Sequence, residues 1–273
     1  EGAEAADEAL DLALRLGHVG GEIMARRGGL LNSIPQTGDL DGLERALRKD
    51  LELCTAIRSP WSSQSHAWLS FVATLRGRFE EGLACAEESI ALEPESAWSG
   101  IGWASRLANR AHAGDHAEVG RMLADRAEVL RSDAEVSTMG QTIMLSVAGE
   151  SAAAAGLADV CAALYPELAR HPERFVFRPF DWALSHRVAG MTAAGAGRWD
   201  VAEEHLQQAL AQAETFPVVL EVPRVRQAYG ELLLQRGAPA DRGRAHELLG
   251  AARDGYRALG MPMRAHAVED RLG

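Results

Sequence analysis

"GRWDVAEEHLQQALAQAE" (197–214) and "GRFEEGLACAEESIALEP" (77–94) decide the fold. In the first, Ala202, Leu206, Ala209, Leu210 and Ala213 fall three and four residues apart and form one apolar stripe. Glu203, Glu204, Gln207, Gln208 and Gln212 mostly face away, which is the period of an amphipathic helix. Each stretch opens on a glycine followed two residues later by an aromatic, Phe79 or Trp199. Glycine takes the left-handed backbone that ends a helix, so each reads as a turn between two helices. The aromatic plugs the wedge between them, and small residues one and two turns on let them approach closely.

The pattern recurs. Gly38, Gly77, Gly114, Gly156, Gly197 and Gly237 each sit between two helical runs, spaced 39, 37, 42, 41 and 40 residues apart. After each glycine the second, fifth and ninth residues are mostly apolar or small. The copies read Leu40, Leu43, Leu47; Phe79, Gly82, Ala86; His116, Val119, Leu123; Ala158, Cys161, Tyr165; and Trp199, Ala202, Leu206. The copy at Gly237 carries an insertion, "APADRG" (238–243). A single hairpin of this kind cannot bury its apolar face, so hairpins stack. The periodicity predicts helices over 3–17, 20–33, 39–57, 61–76, 79–92, 96–112, 116–131, 134–154, 158–170, 180–195, 199–214, 222–236, 241–259 and 262–271. No convincing period-two run is present. "FPVVLEVP" (216–223), bracketed by prolines, reads as a loop entering a helix. The expected architecture is all-α: a single helical-repeat domain over 1–273, an α-solenoid of about seven antiparallel pairs in a right-handed superhelix. Residues 3–17 read as the second helix of a pair whose first is missing, so the chain is expected to be a fragment of a longer protein. Residues 259–273 read as a lone helix from Pro262 that caps the stack.

Composition sets bounds. With 273 residues and 47% hydrophobic residues the chain can bury a large core. A formal charge of −11 offers no net attraction to phosphates, which argues against nucleic acid as a partner of this segment. Lys49 is the only lysine, and the arginines are interleaved with Asp and Glu. Cys54, Cys85 and Cys161 lie far apart on apolar helix faces and read as buried reduced thiols of a cytoplasmic protein. No apolar run approaches the roughly 20 residues of a membrane helix, and no signal-peptide pattern is present.

The turn grammar, with Pro94 after a second helix, resembles that of tetratricopeptide repeats. The order of "GDLDGLERALRKDLELCTAIRSPW", "LRGRFEEGLACAEESIAL", "AAAAGLADVCAALYPELARHPERFVF", "AGMTAAGAGRWDVAEEHLQQALAQAE" and "RVRQAYGELLLQRGAPADRGRAHELLGAARDGYRALGMP" resembles the C-terminal helical-repeat region of bacterial multidomain signalling ATPases. These include large LuxR-type transcriptional regulators and ATPase-linked nucleotide cyclases. The resemblance covers nearly the whole chain. It implies a non-catalytic sensor or scaffold arm that receives an inducer or partner and regulates an upstream nucleotide-binding switch.

The residues themselves encode little chemistry. His112 and His116 are four apart, but Gly114 and Asp115 put a turn between them, so metal binding on one helix face fails. His171, His186 and His205 lack a ligand cluster at suitable spacing. The serines of "SPWSSQSHAW" (59–68) lie near His66 but fit a helix start better than a nucleophile. No catalytic residue, metal or cofactor is assigned.

Binding is the stronger reading. Projection from the turn glycines puts Gln64, Phe71, Arg187, Met191, Arg224, Gln227 and Glu231 on or near the concave face lined by the first helices. Arg187 and Arg224 can pair with a carboxylate or phosphate of a ligand; the plainer alternative is an inter-helix salt bridge with Asp181 or Glu221. The tryptophans Trp61, Trp68, Trp98 and Trp103 read as core. The Asn- and Lys-rich clamp of chaperone-binding repeats is missing. In "RFVFRPFDW" (174–182), Phe175 and Phe177 alternate with Val176 and Arg178 and can point to one side, while Phe180 and Trp182 open the next helix. The aromatics either seal adjacent hairpins or form a lid over the ligand. The expected partner is a protein or peptide, or a small-molecule inducer, in an open polar groove, with no nucleic acid and no membrane. The alternative is a free-standing peptide-binding adaptor or quorum receptor. Pairing of residues 3–17 across a two-fold axis would make a homodimer.

Overall fold

A computed structural model describes residues 2–130, 138–178, 181–216 and 218–272, excepting the side chains of 2, 3 and 31–35. The described elements are α1 (Gly2–Leu16), α2 (Val19–Thr37), α3 (Leu40–Ala56), α4 (Ser62–Leu75), α5 (Phe79–Ala91), α6 (Ile101–His112), α7 (His116–Asp125), the short α8 (Ala127–Leu130) and α9 (Met139–Ala154). There follow α10 (Ala158–Leu168), the short α11 (His171–Arg174), β1 (Phe177–Arg178), β2 (Ala183–Leu184), α12 (Ser185–Gly195), α13 (Trp199–Thr215), α14 (Glu221–Arg236), α15 (Asp241–Ala258) and α16 (Pro262–Leu272). The architecture is all-helical apart from this two-residue antiparallel ladder, in which Phe177 faces Leu184.

The six turn glycines all adopt the left-handed conformation, with φ between +66° and +79°. Four of the turns close with the same two backbone bonds. At Gly77, the glycine N–H donates to Thr74 O and Arg78 N–H reaches back to Ala73 O; the turns at Gly114, Gly156 and Gly197 repeat this. These are the paired bonds that satisfy the last carbonyls of a helix. The glycine period in the sequence is therefore a period of helix ends.

Packing follows the same count. Across the turns, α2 packs on α3, α4 on α5, α6 on α7, α9 on α10, α12 on α13 and α14 on α15. The second helix of each pair packs on the first of the next, as α5 does on α6 and α13 on α14. The first helices also touch in series, α4 to α6 to α9 to α12 to α14. Close approach needs glycine at one repeated place. A Cβ on Gly190 would lie 2.7 Å from Leu206 Cγ and 3.2 Å from the Ala202 carbonyl. A Cβ on Gly230, in the following pair, would lie 2.7 Å from Leu249 Cγ and 3.1 Å from the Ala245 carbonyl.

Four predicted boundaries are corrected. The helix expected over 96–112 begins at Ile101, because Gly100 turns left-handed (φ +101°) and its N–H is held by Glu93 Oε1 at 2.9 Å. The helix over 116–131 breaks at Arg126. The helix over 134–154 has its start at Met139, where Thr138 and Gln141 form a reciprocal capping box; residues 134–137 lie outside the described residues. The helix over 180–195 starts at Ser185, because Ala183 and Leu184 pair with β1 instead; Phe180 lies outside the described residues. The ladder also shows that short extended pieces escaped the period-two reading.

The expected open groove is closed by the C-terminal end. The α15–α16 turn and α16 cross to the first hairpins, where the missing side chains of Gly38 and Gly77 make room. A Cβ on Gly38 would stand 2.5 Å from Leu259 Cδ2, and one on Gly77 2.6 Å from Met263 Cγ. Arg264 reaches His112 on α6 at 3.0 Å. One hydrophobic cluster accordingly runs from Leu40 on α3 to Val268 on α16. α16 thus does more than cap α15: Met263 reaches the turn after α4 and Arg264 reaches His112 at the end of α6.

Candidate functional site

Behind α16 lies a two-chambered cavity. Its inner recess is apolar, walled by Phe71, Leu75, Ala108, Val147 and Trp182, and encloses about 30 Å³. The outer chamber encloses about 310 Å³ and is polar, with Arg187, Met191, Gln227, Glu231, Tyr256 and Arg271 in its wall. His112, Glu150, Arg224 and Arg264 border both chambers.

Four of these residues come from the same side of successive first helices, but at a drifting register. His112 lies two residues before Gly114, Glu150 six before Gly156, Arg187 ten before Gly197 and Arg224 thirteen before Gly237. Each step is about one helical turn. The line of inward-facing side chains therefore runs diagonally across the array.

Their charges compensate one another. Arg187 Nε donates to Glu221 Oε2 at 2.8 Å, and its Nη1 lies 3.1 Å from Glu150 Oε1. Arg224 Nη1 lies 2.7 Å from Glu221 Oε1, and Nη2 donates to Glu150 Oε1 at 3.1 Å. Glu221 also accepts from the Leu184 N–H at 2.8 Å, so one fully buried carboxylate joins β2, α12 and α14. Burial opposes ionisation of Glu150, yet the guanidiniums of Arg187 and Arg224 hold its carboxyl well below the usual range. Burial, with Arg264 beside it, pushes His112 down to about 3. His112 is therefore neutral and accepts the Arg264 Nη2 donor at Nε2.

Three charged groups in the wall, Arg264, Arg271 and Glu231, form no ion pair among the described residues. Arg264 forms no ion pair with a carboxylate among the described residues; its Nε is buried without a hydrogen-bond partner, and its guanidinium lies 5.9 Å from the centre of the Tyr256 ring. Burial lowers its affinity for a proton. Among the described residues Glu231 accepts from Gln227 Nε2, at 3.0 Å, and forms no direct ion pair, although the charges of Arg271 and Arg264 act on it from a distance. Its pKa is raised, chiefly by burial. Tyr256 lies fully buried between them, its hydroxyl donating to Gln227 Oε1 at 2.7 Å.

Trp182 reaches the inner recess through a strained backbone. It is buried with φ +45°, a conformation costly for a bulky residue. Its carbonyl is held by Arg224 Nη1 at 2.9 Å. Beside it Arg178, 2% exposed, donates to Asp181 and to Ser185 Oγ, while Ser146 Oγ donates to Asp181 Oδ2 at 2.7 Å. This network pins the hairpin that carries Trp182.

Of the residues projected from the sequence, Phe71, Arg187, Met191, Arg224, Gln227 and Glu231 meet at the cavity. Gln64 does not: it lies elsewhere, accepting from buried Arg27, which also pairs with Asp50 and stacks between Trp61 and Trp68. Phe175 and Phe177 do not line it either. Phe175 is 40% exposed, and Phe177 packs on the core from β1. The expected alternation fails because Arg178 finds its polar partners inside. Of the two ion-pair alternatives, the Glu221 bridge forms, whereas Asp181 pairs with Arg178. The projection missed His112, Glu150, Trp182, Tyr256 and Arg264.

Outside the cavity, His186 and His205 face each other at 2.9 Å between their Nδ1 atoms, and His205 Nε2 is 3.2 Å from the Tyr165 hydroxyl. Among the described residues no group of three or more His, Cys, Asp or Glu is placed to hold a metal, and no helix is long and apolar enough to cross a membrane. No known family model, curated protein or solved structure matches the chain.

Proposed function

We propose that the chain is a non-catalytic, ligand-binding sensor module of a larger bacterial signalling or transcriptional regulator, built as a tetratricopeptide-like α-solenoid. The repeating pattern of turn bonds and neighbour packing supports the solenoid reading. The observation that carries the function is the cavity beside the first helices, with Arg264 and Glu231 in its wall and neither in a direct ion pair among the described residues. Burying a charge without a partner is costly. A wall that keeps such groups beside open volume is organised for something that enters it. A small-molecule inducer fits a partly open chamber of about 310 Å³ better than a folded protein partner does. Binding there would tie α16 to α4, α6 and α9, and so stabilise one arrangement of the array.

The test is a ligand panel of amino acids, short peptides, sugars and nucleotides, read by the thermal unfolding midpoint and by calorimetry. The expected result is a saturable rise in midpoint with one class. Robust turnover of a substrate, abolished by one point substitution, would refute a non-catalytic module.

A further inference from the structure

Arg264 and Glu231 differ in sign, face one chamber and form no direct ion pair with each other, and Arg271 adds a second, exposed positive charge at its wall. A simple anion would complete Arg264 and leave Glu231 bare; a simple cation would do the reverse. Resting on the sensor reading above, we infer that the cavity takes a small zwitterion, a free amino acid or a dipeptide, with its carboxylate on Arg264 and its ammonium on Glu231. The geometry fits at three points. Arg264 borders both chambers, and its guanidinium retains donors that no carboxylate among the described residues uses. Such a planar fork matches a carboxylate. Glu231 and Gln227 sit side by side in the outer chamber and together offer acceptors to an ammonium. The apolar recess continues from Arg264 between Phe71, Leu75, Val147 and Trp182 and suits a short aliphatic group.

Size sets the class. The recess, at about 30 Å³, exceeds what one water needs and has the room of a short aliphatic group, whereas the outer chamber of about 310 Å³ lies in the range of small-ligand pockets. A large aromatic side chain is excluded from the recess, as is a folded peptide from the chamber. The neighbouring charges do not compete: Arg187 and Arg224 are spent on Glu150 and Glu221, and His112 is neutral. Arg271 is exposed in the wall of the outer chamber and adds positive charge for an entering carboxylate.

The experiment compares L-valine and L-alanyl-L-valine with isovalerate, which lacks the ammonium, and isobutylamine, which lacks the carboxylate. Calorimetry and the unfolding midpoint are read on the whole chain and on R264M and E231Q. The zwitterions should bind and both single-charge analogues should bind at least about 10-fold more weakly, the size of one charge-assisted contact. R264M should lose valine by a similar factor while unfolding at a higher temperature than the parent without ligand, because its bare cation is gone. E231Q should weaken valine but not isovalerate. Equal binding of valine and isovalerate, or valine binding indifferent to both substitutions, would overturn the zwitterion. Binding of a sugar or nucleotide alone, unaffected by R264M, would overturn it and leave the sensor reading standing. Failure of every class in the panel would remove both.

Discussion

Glu221 is the most informative single position. Its carboxylate is fully buried and accepts from the Leu184 N–H and from Arg187 Nε, both at 2.8 Å, and it pairs with Arg224 at 2.7 Å. In Glu221→Gln the amide oxygen can keep one of these bonds, but the cluster goes from two cations and two anions to two cations and one anion. Breaking a buried pair from one side costs about 3–5 kcal/mol. With a urea m-value of about 3 kcal/mol/M, the midpoint should fall by about 1–1.7 M. The assay is urea unfolding followed by both far-ultraviolet circular dichroism and tryptophan fluorescence, since Trp182 sits beside the cluster. The companion variant Arg187→Met/Glu221→Leu removes one charge of each sign and leaves Arg224 on Glu150 at 3.1 Å. It should be more stable than Glu221→Gln alone, because no buried cation is left bare. A loss under about 1 kcal/mol for Glu221→Gln, or a double variant as unstable as the sum of its singles, would refute the claim that charge balance organises this wall.

Glycine substitutions should split by contact. Gly230→Val and Gly190→Val drive a side chain into Leu249 or Leu206 and a backbone carbonyl, and should each cost about 1–3 kcal/mol by denaturant titration. Gly250→Ala, in α15 with nothing within 4 Å of the new Cβ, should stabilise by about 0.5–1 kcal/mol through helix propensity. Acid should destabilise the protein from about pH 6.5 downward. Burial pushes His171 down to about 4 and His112 to about 3, so below the ordinary histidine pKa the unfolded chain binds protons that the native state refuses. Stability therefore falls with pH, by up to about 1.4 kcal/mol per pH unit for buried His171, until its folded pKa is reached. His171→Phe should flatten the slope of the melting temperature between pH 6.5 and about pH 4, the two ends of the His171 window.

The turns within the pairs were legible because one residue type marks the end of each first helix: a left-handed C-terminal cap needs glycine, and the spacing of six glycines reveals the unit, whereas the short α8 and α11 carry no such mark. The site was half legible. Projection from the turn glycines finds Arg187, Arg224, Gln227 and Glu231, which lie in two adjacent pairs. It misses Glu150, although that residue stands six before its glycine as Glu231 does, and His112, which lies only two before Gly114. Arg264 carries no such signal. It reads as one polar residue of a terminal amphipathic helix, and only the return of α16 onto α6 brings it to His112, 152 residues earlier in the chain. Of the two readings of the aromatic stretch, a seal or a lid, neither Phe175 nor Phe177 lines the cavity: Phe177 packs on the core, Phe175 is exposed, and Arg178 is buried with Asp181.

The placement of Arg264 also couples the site to the shape of the array. The groups on which the zwitterion proposal rests come from both ends: Arg264 from α16, Glu231 from α14, Phe71 and Leu75 from α4. A ligand that touches all three can bind only while α16 lies across the first hairpins. Its binding energy is then added to that closure and to no other arrangement, by RT ln(1 + [L]/Kd), or about 2.7 kcal/mol at a hundredfold excess over Kd. Arg264 makes closure weaker without ligand, since docking α16 buries its uncompensated charge. The same side chain that destabilises the empty state recognises the carboxylate, so closure and occupancy are set by one group. R264M separates them: the array should stay closed and become more stable, while the dependence of closure on ligand disappears. Hydrogen exchange on α16 and α4, with and without valine, reads that difference directly. Ligand-induced protection in R264M equal to the parent's would show that closure is driven from elsewhere in the cavity.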